Sequence, residues 1–288
     1  MNQNALSSAH SHNRSFPGNF PLPLALNVLT ALETLILLAA AIQLYYFPLW
    51  KGLRWPWAVQ PYNAVFLGGL YWAAFTAVGL QVFVRRWSPA RLVQSMVLIF
   101  SIVLLCVSLA YLGLFDWQRH LVKAWFIVYT VVPTSAAIAT FTYRDRPTAH
   151  PVQLPPRYQA ILRAKAICLG LYGLALLVIP TFATAFWPWL IDAFHSRLYS
   201  AIFLATGFGN RLLSRSAAAM ELLTLGLVEL LLGALPLIGI LNLDRTIGRI
   251  NWSQPGSLLW LLLLAAWAIA GLQLIRQALR WRSANSHL

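Results

Sequence analysis

Residues 92–115, LVQSMVLIFSIVLLCVSLAYLGLF, contain no charged side chain. A helix over that stretch rises about 36 Å at 1.5 Å per residue, enough to cross a hydrocarbon layer of about 30 Å. Comparable runs recur along the chain, at approximately 24–47, 62–84, 91–115, 121–143, 160–186, 195–214, 217–241 and 255–279. None alternates as a barrel strand does, and a helix satisfies its own backbone within lipid. The pattern therefore predicts an all-α, polytopic transmembrane helix bundle of eight spans. Composition agrees, since 59% of the residues are hydrophobic and only 10% are charged, a balance that would not keep a soluble domain dispersed.

Lysine and arginine are retained on the cytoplasmic side of a membrane, so their distribution over alternate connectors sets orientation. Of the 21 basic residues, 14 fall on the side of the N-terminus and 7 on the other. Both termini are thus expected in the cytoplasm, with the chain in the cell's inner (plasma) membrane. The first 22 residues read as a polar tail and lack the short apolar core and small-residue cleavage site of a secretory signal. The net charge of +14 is spread in short groups flanking helices, with no soluble domain to carry it. The partner it fits is the bilayer headgroup layer and not nucleic acid.

Two connectors share the triplet Trp-Pro-Trp, at positions 55–57 and 187–189. The offset of 132 also lays Pro48 on Pro180, and an offset of 135 lays Trp117 on Trp252 and Trp125 on Trp260. Together these matches divide the chain into the tail (1–22) and two four-helix repeats (23–150 and 151–288). Four spans is an even number, so the second copy enters from the same side as the first. The repeats are expected to be parallel, related by an axis along the membrane normal. Trp55, Trp57, Trp187 and Trp189 are expected as interfacial anchors at the outer headgroup level, where indole rings are favoured. The connector is similar to one in uncharacterised multi-pass membrane proteins of bacteria, where a Thr/Pro-rich segment and an arginine follow Trp-Pro-Trp. Here the first copy keeps Pro61 and the second Arg197, while Gln60, Asn63, Asp192 and His195 stand where that pattern has threonines. The resemblance implies a bacterial membrane setting and no particular activity.

An ionisable group in hydrocarbon costs roughly 2.5–3.5 kcal/mol at a helix centre, so each one asks for a reason. Glu229 sits midway along the seventh span, either as a proton- or cation-coupling group or as a neutral acid bonded to a neighbouring helix. The repeat lays Glu33 on Lys165. These two pair across the halves, reach the inner headgroups by extending along the helix, or meet a substrate. The sixth span is the least hydrophobic: between Arg197 and Arg211 it contains Gly207, Gly209 and Asn210, opposite Gly68, Gly69 and Gly79 of the second span. Glycine-interrupted segments at matching places of two halves point to a transporter site or to close helix packing. Arg211 has Glu221 as a candidate partner and Arg197 has Asp192, which makes both arginines interfacial anchors ahead of anion ligands. Glu229, Glu33, Lys165, Arg197, Arg211 and Asn210 form the candidate substrate or ion site.

Signatures of catalysis are missing. None of the six histidines lies deep in a span, no His/Cys/Asp set has metal spacing, and no phosphate-binding glycine loop is present. Cys106 and Cys168 fall inside spans, unsuited to a structural disulfide. The sequence thus calls for no metal and no cofactor, and enzymatic activity is the least favoured reading. Three functions remain: a small-solute or lipid transporter, slightly favoured; a non-catalytic subunit or scaffold packing beside other membrane proteins; and, third, an intramembrane enzyme, for which the sequence offers no nucleophile–base pair. An aqueous interior cavity reaching Glu229 favours the first, and a solid centre favours the second.

Overall fold

The computed structural model describes residues 19–50, 55–146 and 151–285. The expected N-terminal tail lies outside the described residues up to position 18, as do Arg14, Lys51 and Arg54 of the charge count. The elements in chain order are α1 (Leu24–Tyr46), α2 (Pro61–Val84), α3 (Trp87–Ala110), α4 (His120–Thr142), α5 (Pro156–Val178), the one-turn α6 (Pro180–Ala183), α7 (Ala193–Leu213), α8 (Ala219–Ile247) and α9 (Pro255–Asn285). Proline opens α2, α5, α6 and α9, where its missing N–H would have had no helical partner. Left-handed residues close two of the helices, Arg85 at φ 53° after α2 and Gly248 at φ 65° after α8.

Among the described residues, seven helices are long and apolar enough to cross a membrane: α1, α2, α3, α4, α5, α8 and α9. The chain is a helical membrane protein. The eighth expected span, α7, falls short of the others in hydropathy although its 21 residues rise about 32 Å. Its polar residues explain the shortfall and its surroundings explain how they are accommodated. His195, Ser196, Ser200, Thr206 and Asn210 are all buried by neighbouring helices.

The helices form two shells. α2, α3, α7 and α8 are buried along most of their length. α1, α4, α5 and α9 flank them and turn outward such residues as Leu35, Ile138, Leu171 and Leu262, the exposed apolar surface that lipid solvates. The pairings recur: α1 packs on α2 as α5 packs on α7, α2 meets α8 as α7 meets α3, and α3 packs on α4 as α8 packs on α9. At one end, the segment before α1 bonds to the α2–α3 turn through Leu22 N–H to Arg85 O (3.1 Å) and Trp87 N–H to Phe20 O (3.2 Å). The segment before α5 does likewise, with residues 151 and 152 pairing antiparallel with Ala218 and Ala217 of the α7–α8 turn.

Lipid tails are as apolar as leucine, so helices associate here through close contact and not through a hydrophobic drive. The glycines supply that contact. A Cβ on Gly68 would lie 2.6 Å from the Tyr45 backbone N, one on Gly207 would lie 3.1 Å from Gly170 N, and one on Gly209 would lie 2.8 Å from Met96 Sδ. Of the two explanations for these glycines, packing accounts for all three. The α8–α9 seam is tighter still, a Cβ on Gly271 falling 2.3 Å from Leu230 N and one on Gly233 2.4 Å from Leu264 O, while one on Gly226 would lie 2.9 Å from both Gly271 O and Ile275 N, all of them backbone atoms. Gly226→Leu should therefore destabilise the bundle by roughly 1–3 kcal/mol, measured as a lower thermal unfolding midpoint in detergent. Gly113→Ala, with open space around the position, should change it by less than about 0.5 kcal/mol.

Candidate functional site

Three of the six candidate residues meet in the second half of the chain. Glu229 on α8 is 0% exposed and forms an ion pair with Lys165 Nζ from α5. Its other oxygen accepts from Asn210 Nδ2 of α7 at 2.7 Å, and that amide also donates to Thr206 O at 2.9 Å. Of the three alternatives for Lys165 and Glu33, the pair between them is corrected: Lys165 bonds Glu229, and α5 packs on α7, whereas Glu33 lies on α1, which packs on α2. Glu229 is fully buried, and its two oxygens are occupied by protein donors. Removing one member of such a pair leaves an uncompensated charge in a medium that solvates it poorly. Lys165→Met should cost about 3–5 kcal/mol in a denaturation measured in detergent, and adding Glu229→Gln should recover part of that loss, because Gln keeps a partner for Asn210 without the stranded charge.

The two arginine candidates lie near helix ends. Arg211 is exposed, with Ser214 Oγ 3.5 Å away. Its proposed partner Glu221 instead receives a two-pronged contact from Arg91 of α3, both N···O distances 2.9 Å, together with the Ala218 N–H at 3.0 Å. That carboxylate opens α8 and points inward to the start of α3, so the Arg211–Glu221 pairing is corrected. Arg197 donates from Nε to Leu177 O (3.0 Å), bonds the Tyr111 hydroxyl, and lies 5.6 Å from the Tyr111 ring centre. It thereby caps the end of α5 and has no contact with Asp192. Asp192 instead caps α7, accepting from His195 N at 2.9 Å and facing His195 Nδ1 at 2.6 Å. The other His195 nitrogen, Nε2, accepts from Trp57 Nε1 at 3.0 Å, so the proton belongs on Nδ1 and is given to Asp192. Burial alone would raise the Asp192 carboxyl, but the hydrogen bonds from His195 outweigh it and hold the group below the usual carboxylate range. Its contribution to stability is complete above the unfolded value of about 3.9 and is lost as pH falls through the lower folded one. An acid titration followed by helicity should lose this component in Asp192→Asn, which still caps the helix.

The connector tryptophans are interior residues. Trp55, Trp57, Trp187 and Trp189 are 8%, 5%, 8% and 8% exposed, which corrects their assignment as anchors in the lipid headgroups. Each connector folds back into its end of the bundle, where protein rings cover the indoles and protein acceptors replace water for three of the four N–H groups. Trp55 and Trp57 pack on Trp125 at 6.1 and 4.8 Å, and Trp187 and Trp189 pack on Trp260 at 6.2 and 5.2 Å. Besides the Trp57–His195 bond, Trp189 Nε1 donates to Asn63 Oδ1 at 2.8 Å.

Glu33 occupies a different place. It lines a cavity of about 310 Å³ enclosed by α1, α2, α3 and α4 and floored by residues of α7 and α8, including Ile202 and Val228. Ile36 and Leu121, on α1 and α4, line it and are themselves exposed, so it opens sideways between these two flanking helices. The wall is apolar apart from Glu33 and a few groups that include the Tyr71 and Tyr129 hydroxyls, 3.3 Å apart. Among the described residues Glu33 has no hydrogen-bond or ion-pair partner. Its carboxyl lies near enough to Tyr129 to act on it electrostatically. Glu33 is the tenth residue of α1 and Tyr129 the tenth of α4, each roughly 14 Å along its helix and so well within the hydrocarbon. Sequence reasoning missed Tyr71, Tyr129 and Trp55 as wall residues. Alanines such as Ala39, Ala40, Ala74 and Ala77 make the space, and an alanine run in a span reads equally well as tight packing.

No group of three or more His, Cys, Asp or Glu side chains with metal-binding geometry occurs among the described residues. Compared with protein family models, curated proteins and solved structures, the chain matches none of them.

Proposed function

We propose that this is an eight-span protein of the plasma (inner) membrane, with both termini cytoplasmic, whose first half takes up a small lipophilic molecule from the bilayer in a transporter-like role. The cavity beside Glu33 carries this reading. Its volume lies at the lower end of the range of small-molecule sites, it is almost wholly apolar, and its mouth faces lipid.

The wider frame of this reading is two parallel four-helix repeats, residues 23–150 and 151–288, with α7 as the sixth span, sheltered from lipid by its neighbours. Reciprocal bonds between the halves support it. Trp57 donates to His195, Trp189 donates to Asn63, and the offset of 132 carries Trp57 onto Trp189 and Asn63 onto His195. Two exchanged contacts of this kind are what a two-fold axis along the membrane normal generates. The recurring helix pairings and the matching Trp125 and Trp260 environments agree with the same axis.

A second reading, a non-catalytic subunit or scaffold, draws on the closed Lys165–Glu229–Asn210 cluster, which makes the second half solid. The two are separated by native mass spectrometry of the full chain in mild detergent. Under the transporter-like reading the protein carries a non-covalent lipophilic adduct, and Ala74→Phe, which fills the cavity, loses the adduct without a lower unfolding midpoint. A protein that arrives without an adduct but with stoichiometric membrane partner chains would establish the subunit reading instead.

A further inference from the structure

Of the buried polar side-chain atoms without a partner among the described residues, Trp55 Nε1 alone belongs to a residue lining the cavity. An N–H held dry without an acceptor is costly, and such exceptions ask for an explanation. The other half of the chain provides one. Trp187, which the offset of 132 lays on Trp55, donates its N–H to the Tyr172 hydroxyl at 2.7 Å. The Tyr172 ring in turn packs edge to face on Phe203, centroids 4.9 Å apart, and Phe203 stacks on Trp267 at 5.2 Å. In the first half the offset of 132 gives Ala40 and Tyr71 for Tyr172 and Phe203, and the offset of 135 that pairs Trp125 with Trp260 gives Val132 for Trp267; all three line the cavity. One half therefore has a phenol ring and an indole where the other has alanine and valine, and there the tryptophan N–H has lost its acceptor.

We infer that the cavity receives a lipophile bearing a hydroxylated aromatic ring, seated where Tyr172 sits in the other half, with its oxygen accepting from Trp55 Nε1. This rests on the reading of the cavity as a site for a lipophilic molecule and names the chemistry that the site selects. The ring meets Tyr71 as Tyr172 meets Phe203. The ligand hydroxyl proton has acceptors in the same wall, the paired Tyr71 and Tyr129 oxygens, and the Tyr71 ring lies 5.7 Å from that of Trp55. An alkyl tail leaves through the lateral mouth into lipid.

The probe is a para-alkylphenol, compared with the alkylbenzene of the same chain length, titrated against the full chain in detergent and followed by native mass spectrometry. The phenol is expected to reach half occupancy at about tenfold lower concentration than the alkylbenzene, the margin of one buried hydrogen bond. Trp55→Phe should abolish that preference while leaving alkylbenzene binding in place. Ala40→Tyr, which restores the ring of the other half, should exclude both probes; Val132→Trp fills the same cavity from α4 and should do the same should the first variant fail to fold. Equal binding of the two probes to the native chain, or a preference that survives Trp55→Phe, overturns this inference and leaves the cavity as a non-selective lipophile site. Binding of neither probe overturns the cavity reading itself.

Discussion

Inside a bilayer a polar side chain has no water to fall back on, so each one must find its partner within the protein or leave an energetic debt. Much of this structure follows from that requirement. Glu229 is tolerable because Lys165 and Asn210 converge on it from two other helices. Glu221 is tolerable because Arg91 and the Ala218 N–H do the same at the start of α8. A buried chain runs from Gln94 through Gln81 to Thr30, at 3.0 and 3.2 Å, and joins α3, α2 and α1. These contacts are directional in a way that contacts between apolar helices are not, and they fix which helix faces meet. Glycine then sets how near those faces come.

Against this background the two halves differ instructively. In the second half the space between the flanking and central helices is filled by Tyr172, Trp267 and the Lys165–Glu229–Asn210 cluster. In the first half, residues 33, 78 and 97, which the offset of 132 lays on that cluster, are Glu33, Val78 and Val97, and all three line the cavity. A proposed duplication of this kind keeps the scaffold in both copies and releases one of them from the need to be filled. The solid half acts as a footing, and the hollow half is free to bind.

The helices were readable from the sequence because a lipid-spanning helix is defined by length and apolar content, both local properties. Glu229 stood out for the same reason, as a charge far from either end of its span. Lys165 and Asn210 were named with it as candidates but not as its partners, because charge spacing carries no information about which helix faces adjoin; opposite charges at equivalent positions of the repeat pointed Lys165 to Glu33 instead. The tryptophans were misjudged on a related ground. Composition places an indole near the membrane surface, but whether lipid or protein covers it depends on how a connector folds. The cavity was the least legible feature, since it consists of side chains that are small, and its orphaned Trp55 N–H becomes visible only beside the satisfied Trp187.

The enclosure of α7 bears on how the chain is made. An insertion apparatus that weighs each emerging segment by its own partition into lipid would gain little from one carrying His195, Arg197 and Asn210. Its shelter comes from α5, which precedes it and meets it closely at Gly170 and Gly173, and from α3 and α8. On the proposed eight-span reading, biogenesis delays commitment of α7 until those neighbours are at hand, so that it enters as one arm of a hairpin and not as a solitary traveller from the translocon.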